Sequence, residues 1–253
     1  MFKARLFDMA LTILGNLPLL WLRRIGQILG LVLWYSRSRM ALVTLENIKL
    51  CFSELSATQQ RRLAKNSLTH TGETILETIF AWKEKRELCL ESIKSVENES
   101  IVVDAVKRGK GVIFVIPHLG NWELINHYLG EHYGLTHMAL QFSDPAINKL
   151  IGGYRGRTGT KFVGAGSSGI KAQLKVLRQG GCIGTMPDQE PSVYSGTFRS
   201  FFGVNALTTT LISGYVNKTD CETIIAVCKR TSDGFHISFS PAEIRTAEDP
   251  SLE

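Results

Sequence analysis

Cysteine is scarce in this sequence and forms no pattern. The five present (Cys51, Cys89, Cys182, Cys221 and Cys228) are widely scattered, with no C-x-x-C pair. An odd, dispersed set supports neither a disulfide framework nor a zinc site, and it fits a reducing, cytosolic compartment. There is no G-x-S-x-G nucleophile elbow, since Ser167 and Ser168 lack the required glycine spacing. There is no H-E-x-x-H either, and His127, His132 and His137 recur at intervals of five, a poor spacing for one helical face. No metal ion or other cofactor is expected. No apolar run reaches the roughly 20 residues that span a bilayer unaided. A small-residue cleavage site is also missing, so a cleaved signal peptide is not expected. Internal repeats and low-complexity tracts are absent.

Over 253 residues the chain is 44% hydrophobic, enough to bury a full core as one α/β domain or a domain with an appendage. Its net charge of +6 is unevenly placed. Residues 1–50 hold seven basic side chains (Lys3, Arg5, Arg23, Arg24, Arg37, Arg39 and Lys49) against Asp8 and Glu46, a local excess of +5. The other 203 residues carry 22 basic and 21 acidic groups. Positive charge is therefore concentrated where the sequence is most apolar. A nucleic-acid binder would spread basic residues over a polar or aromatic-studded face, so no nucleic-acid partner is expected. Basic residues flanking apolar runs point to an anionic membrane surface.

Residues 7–22 form an apolar stretch interrupted by Asn16 and Pro18 and closed by Arg23 and Arg24. A second run, 25–35, precedes Arg37 and Arg39. Trp21, Trp34 and Tyr35 beside arginines have the character of interfacial side chains. Residues 1–40 are therefore read as an α-helical membrane anchor, interfacial or spanning at a tilt, although a buried helical hairpin has the same periodicity. Residues 41–253 form the main domain. Ser56-Ala57-Thr58-Gln59 is a capping box that predicts a long helix to about Phe80. The charged stretch 83–100 reads as a solvated connector with helical and strand pieces. Beyond it, predicted helices at 101–108, 121–130, 145–157, 170–179 and 208–216 alternate with predicted strands at 111–117, 136–141, 161–163, 182–186 and 223–229. Such alternation predicts an α/β core.

The chemistry is densest at Pro117-His118-Leu119-Gly120-Asn121-Trp122-Glu123, directly after the apolar run Gly111-Val112-Ile113-Phe114-Val115-Ile116. The run reads as a buried strand, and Trp122 onward has the recurrence of a helix with one buried face. On one continuous helix a five-residue separation is a rotation of roughly 140°, which would turn His118 and Glu123 apart. A loop turning at Gly120 can bring imidazole and carboxylate together. Such a pair suits a general base, the carboxylate fixing the tautomer and stabilising the imidazolium. Taken alone, the pattern fits equally a surface histidine and an acidic residue supporting a helix N-terminus.

Other polar clusters compete. Gly164-Ala165-Gly166-Ser167-Ser168-Gly169 matches G-x-G-x-x-G and has Asp188 19 residues later, which would suit a dinucleotide-binding oxidoreductase. The preceding strand is short, however, and a glycine-serine turn capping a helix gives the same residues. Pro187-Asp188-Gln189-Glu190-Pro191 is a stiff loop at a strand end, or simply a tight turn. Arg155 and Arg157 could pair with an anionic substrate or cap the helix they end.

Taken in order, a longer set of residues is distinctive. It comprises Leu17-Pro18, Ile28-Leu29-Gly30, Arg39, Glu46-Asn47-Ile48-Lys49-Leu50-Cys51-Phe52, Gly72, Glu77, the 118–123 loop, Arg155 and Arg157, Asp188-Gln189, Gly196, Phe201-Phe202-Gly203 and Thr208-Thr209. In this set the chain resembles the late acyltransferases of lipid A biosynthesis, the lauroyl/myristoyl transferase family, over most of its length. The H-x-x-x-x-E element alone is shared with glycerolipid acyltransferases generally. The resemblance implies a glycerolipid-acyltransferase-like core of mixed sheet flanked by helices, at the cytoplasmic face of a Gram-negative inner membrane. It implies transfer of a fatty acyl group from acyl carrier protein to a hydroxyl of a lipid A precursor, with no covalent acyl-enzyme. His118 would deprotonate the acceptor, Glu123 would orient and support His118, and Asn121, Asp188, Gln189 and Arg155 or Arg157 would contact substrate. A lysophospholipid or another glycolipid is the alternative acceptor, and a non-catalytic membrane protein is the remaining class. Two departures stand out. The sequence stops at Glu253, where family members usually continue through another helix and a basic, Trp-containing tail, and Phe52-Ser53-Glu54-Leu55 replaces a usual Phe-Pro.

Overall fold

The computed structural model describes residues 2–139 and 143–242. Contacts divide the chain into two compact units, Leu6–Lys83 with Phe198–Leu207, and Glu84–Thr197 with the described residues before Leu6 and from Thr208 onward. The first unit is mainly helical: α1 (Phe2–Gly15), α2 (Leu19–Tyr35), α3 (Arg39–Cys51) and α4 (Ala57–Lys83). Pro18, at the N-cap of α2, separates the first two helices where a missing N–H costs nothing. Ser56 and Gln59 exchange bonds at the start of α4 as the capping box predicts, the Ser56 N–H donating to Gln59 Oε1 at 2.9 Å.

Glycines set the crossing of α2 and α4. A Cβ at Gly26 would lie 2.5 Å from the Gly72 carbonyl oxygen, and one at Gly72 only 2.1 Å from that of Gly26. The backbones thus approach more closely than larger residues allow. Along the same seam Arg23 Nε donates to Glu77 Oε1 at 2.7 Å, both side chains buried. The outward faces are apolar. Leu20, Trp21, Ile28, Val32 and Tyr35 of α2 and Leu6, Met9 and Ile13 of α1 are exposed at helical spacing. Among the described residues no single helix is long and apolar enough to cross a membrane; α1 and α2 pass that test only together, bent by 120°.

The second unit runs α5 (Arg86–Glu91), β1 (Ile93–Glu97), α6 (Glu99–Arg108), β2 (Val112–Val115), α7 (Trp122–Tyr133), β3 (Thr136–Ala139), α8 (Pro145–Arg155), β4 (Lys161–Gly164), α9 (Ser167–Arg178) and β5 (Cys182–Thr185). The hairpin of β6 (Gly196–Phe201) and β7 (Val204–Thr209) that follows in the chain falls mostly, over Phe198–Leu207, in the first unit, and the second resumes with α10 (Leu211–Thr219), β8 (Glu222–Arg230) and β9 (Phe235–Pro241). The main sheet has the order β1-β9-β8-β2-β5-β3-β4 and is parallel except between β8 and β9. It is a mixed α/β sheet flanked by helices. Alternate β2 side chains serve opposite faces: Ile113 joins Leu177, Ile183, Ile212 and Tyr215, while the Phe114 ring lies 6.1 Å from that of Phe239.

The predicted alternation from residue 101 is present with shifted ends. The strand expected at 136–141 is described to Ala139, and positions 140 and 141 lie outside the described residues. The helix expected at 208–216 starts later, at Leu211, because Thr208 and Thr209 complete β7. Strand β9 goes beyond the expected set, and the charged connector supplies β1 as an edge strand.

Candidate active site

The loop after β2 is tied to both strands that flank it. Ile116 N–H donates to the Thr185 carbonyl at 2.9 Å, at the end of β5, and Asn121 N–H to the Cys228 carbonyl at 2.9 Å, in β8. Between them Gly120 takes a φ of +66°, and a Cβ there would fall 1.9 Å from the Cys228 oxygen. Only glycine fits. Asn121 then caps α7, its Oδ1 accepting the Leu124 N–H at 3.2 Å. The loop is therefore held rigidly at the carboxyl ends of parallel strands, where α/β sheets build their sites.

His118 is positioned by the corresponding loop after β5. Its backbone N–H donates to Asp188 Oδ2 at 2.7 Å and its Nδ1 to Asp188 Oδ1 at 2.9 Å. A carboxylate only accepts, so Nδ1 carries the proton and Nε2 the lone pair. Gln189 Nε2, at 3.2 Å, donates to that lone pair. The Trp122 ring meets the imidazole edge-on, 4.9 Å between centroids. Partial burial opposes the charge of Asp188, but the ring and backbone bonds from His118 outweigh it and hold the carboxyl below its usual range.

Nε2 belongs to a cavity of about 600 Å³ whose wall includes His118, Glu123, His137, Arg155, Phe162 and Gln189. Glu123 is 2% exposed, and its carboxylate is bonded to Arg155, with Nε to Oε1 at 3.2 Å and Nη2 to Oε1 at 2.5 Å. The Arg155 guanidinium stands 5.5 Å from the centre of the Phe162 ring, which stacks at 5.8 Å on His137. His137 Nδ1 donates to Asn126 Oδ1 at 2.6 Å, and Asn126 Nδ2 to the Trp122 carbonyl at 3.3 Å. Burial, then the charges of Arg155 and His118, push the His137 pKa down to about 3, so this ring is neutral.

The structure thus brings His118, Glu123, Arg155 and Gln189 to one cavity, but it pairs them differently from expectation. The partner of His118 is Asp188, and the partner of Glu123 is Arg155. The physical reason is charge: a buried carboxylate is better compensated by a guanidinium fork than by a neutral imidazole. Asp188, expected to touch substrate, stands outside the cavity lining and acts on it through His118. Asn121 is also outside the lining and serves as a helix cap. Of the two arginines left open by their spacing, Arg155 lines the cavity, while Arg157 lies exposed over the Tyr154 ring in the following 3-10 turn. The G-x-G-x-x-G run follows the edge strand β4. Gly169 is required there because a Cβ would fall 1.9 Å from the Gly164 carbonyl oxygen, and Asp188 is already bonded to His118. Sequence reasoning named His137 only to set it aside as a metal ligand, and it missed Asn126 and Phe162. An isolated histidine on a short strand carries no spacing signal.

A family model for bacterial lipid A biosynthesis acyltransferases matches residues 3–251. Similar proteins include the lipid A biosynthesis lauroyltransferase of Escherichia coli (strain K12), 24% identical over 199 residues, covering 77% of this chain and 63% of that protein. The lipid A biosynthesis palmitoleoyltransferase of the same organism is 23% identical over 203 residues, 78% of this chain and 64% of that protein. A lipid A biosynthesis acyltransferase of Shigella flexneri matches with the same identity and coverage. The chain spans less than two thirds of the length of these relatives.

Proposed function

We propose, since this chain belongs to the bacterial lipid A biosynthesis acyltransferase family, that it transfers a fatty acyl group from acyl carrier protein to a hydroxyl of a lipid A precursor. The carrying observation is the His118 ring, with Nδ1 donated to Asp188 and the Nε2 lone pair on a large cavity. An acceptor hydroxyl replaces the Gln189 amide at Nε2 and gives up its proton as its oxygen attacks the thioester carbonyl. The tetrahedral intermediate collapses, and the departing thiolate takes the proton back from the imidazolium. Among the described residues the ring nitrogens of His118 bond Asp188 and Gln189 and no serine or cysteine side chain. This favours direct attack by the acceptor over a covalent acyl-enzyme. Glu123 holds Arg155 on the cavity wall, where the guanidinium offsets negative charge growing on the carbonyl oxygen. Glu123 supports His118 through this field, not through a direct bond.

The exposed apolar stripes of α1 and α2, with Arg24 among them, support attachment to an anionic membrane surface. With the reducing compartment suggested by the free cysteines, this reading places the chemistry at the cytoplasmic face of the inner membrane. Purified protein supplied with acyl carrier thioester and a lipid A precursor should give acylated product by mass spectrometry. His118→Ala should reduce product to background while the protein stays folded and vesicle binding is unchanged; undiminished transfer would exclude His118 as the base. Product formed only from a lysophospholipid or another glycolipid would replace the acceptor and keep the chemistry.

A further inference from the structure

The β6–β7 hairpin forms a two-stranded sheet of its own, apart from the main sheet. Such a ribbon is marginally stable in water, and this one carries its aromatic side chains on the outside. Phe198 is 67% exposed, Phe201 59% and Phe202 56%. Every β6 residue from Phe198 to Phe201 is exposed, so both faces of the strand are open there. The turn adds strain. Phe202 and Gly203 form a two-residue loop with φ of +50° and +76°, the pattern of a type I′ turn. That turn favours asparagine or glycine at its first position, and a bulky ring there is out of place. Rings held both exposed and strained call for a partner that receives them.

The surrounding unit indicates which partner. The Phe202 ring lies 5.4 Å from that of Phe52, the C-cap of α3, and Met40, Leu42, Val43 and Leu50 of that helix are exposed. Over Leu6–Lys83 and Phe198–Leu207, ten basic side chains stand against five acidic ones, and two of the five, Glu73 and Glu77, are buried. Arg199 falls between Phe198 and Phe201. Aromatic rings interleaved with arginine, next to apolar helices and under a positive excess, suit the headgroup boundary of an anionic bilayer. We propose that the β6–β7 hairpin is a membrane-inserting element, which seats Phe198, Phe201 and Phe202 tip first in that boundary. Ser195 and Thr209, at the root of the hairpin, line the catalytic cavity, so one continuous element runs from the cavity wall to the aromatic tip. The inference rests on the membrane attachment read above from α1 and α2, to which it adds a second anchor.

The full chain carrying Phe201→Cys and Cys51→Ser can be labelled with an environment-sensitive thiol dye, because the other four cysteines are buried. On anionic vesicles the emission should shift to the blue and be quenched by lipids that carry a spin label on the acyl chain. The same dye at Ser100→Cys, an exposed site on α6, should show neither effect. Phe201→Ser with Phe202→Asn, which gives the turn its favoured Asn-Gly pair, should leave the protein folded and weaken vesicle binding about tenfold. A dye that stays unquenched on vesicle-bound protein, or binding unchanged by the double substitution, would overturn the hairpin anchor. Loss of binding in the Trp21→Ser, Ile28→Ser, Val32→Ser variant would then keep the attachment through α2. Quenching at position 201 with binding untouched by those three substitutions would instead keep the hairpin and remove the α2 attachment. A blue shift without lipid that grows with protein concentration would assign the tip to a second copy of the chain and overturn the bilayer as its partner.

Discussion

At the residue scale, the informative contact is Asp188 on His118. One carboxylate binds both the backbone N–H and the ring Nδ1 of the same residue, which fixes rotamer and tautomer together. Asp188→Asn would present an amide donor to Nδ1, favour the opposite tautomer and remove the lone pair from the cavity. Transfer should fall by roughly 10²–10⁴-fold, with substrate KM little changed. The pair also affects acid stability. Desolvation works against the Asp188 charge, but the bonds from His118 prevail and hold its carboxyl below the ordinary value of 3.8. A carboxyl depressed in the folded state stabilises fully above the unfolded value, and that contribution is lost as pH falls through the lower, folded one. Melting temperature followed below pH 5 should therefore decline more in the wild type than in Asp188→Asn.

At the scale of elements, the site depends on a loop clamped between two strands. Gly120 and Gly134 both have positive φ, +66° and +63°, yet only Gly120 has backbone within reach of a Cβ. Gly134→Ala should cost only the left-handed strain, about 1–2 kcal/mol. Gly120→Ala must also displace the Cys228 carbonyl, so chemical denaturation should show a distinctly larger loss, with transfer impaired in whatever remains folded. Much at this scale was legible beforehand. The apolar run 111–116 contains β2, the capping box starts α4, and the break at Pro18 is present. Strand β9 was readable in principle, because Phe235, Ile237 and Phe239 alternate and are buried. The β6–β7 hairpin was not, since Phe198, Phe201 and Phe202 are exposed and no apolar alternation marks a buried face.

For the whole molecule, the distribution of charge and apolar surface predicts its surroundings. The full chain should sediment with anionic vesicles, and less with neutral ones or at high salt. Trp21→Ser with Ile28→Ser and Val32→Ser should weaken that binding several-fold and barely move the melting temperature, because all three side chains are exposed. Failure to bind vesicles of either composition would remove the membrane from the proposal.

The linear sequence was sufficient for most of the helices and strands from 101 to 229, the basic apolar N-terminal region and His118 at a strand end, because each depends on local periodicity and nearby residues. It could not decide which carboxylate serves His118. Glu123 is five residues away and Asp188 70, but β5 lies beside β2 in the sheet, and that adjacency delivers Asp188 to the ring. Glu123, buried at the start of α7, meets the guanidinium that ends α8. The same strand order sets His137 against Gly184 and brings it to the cavity. Hydrogen-bond partners follow from which strands are neighbours, and neighbours are chosen by long-range packing that no spacing along the chain records.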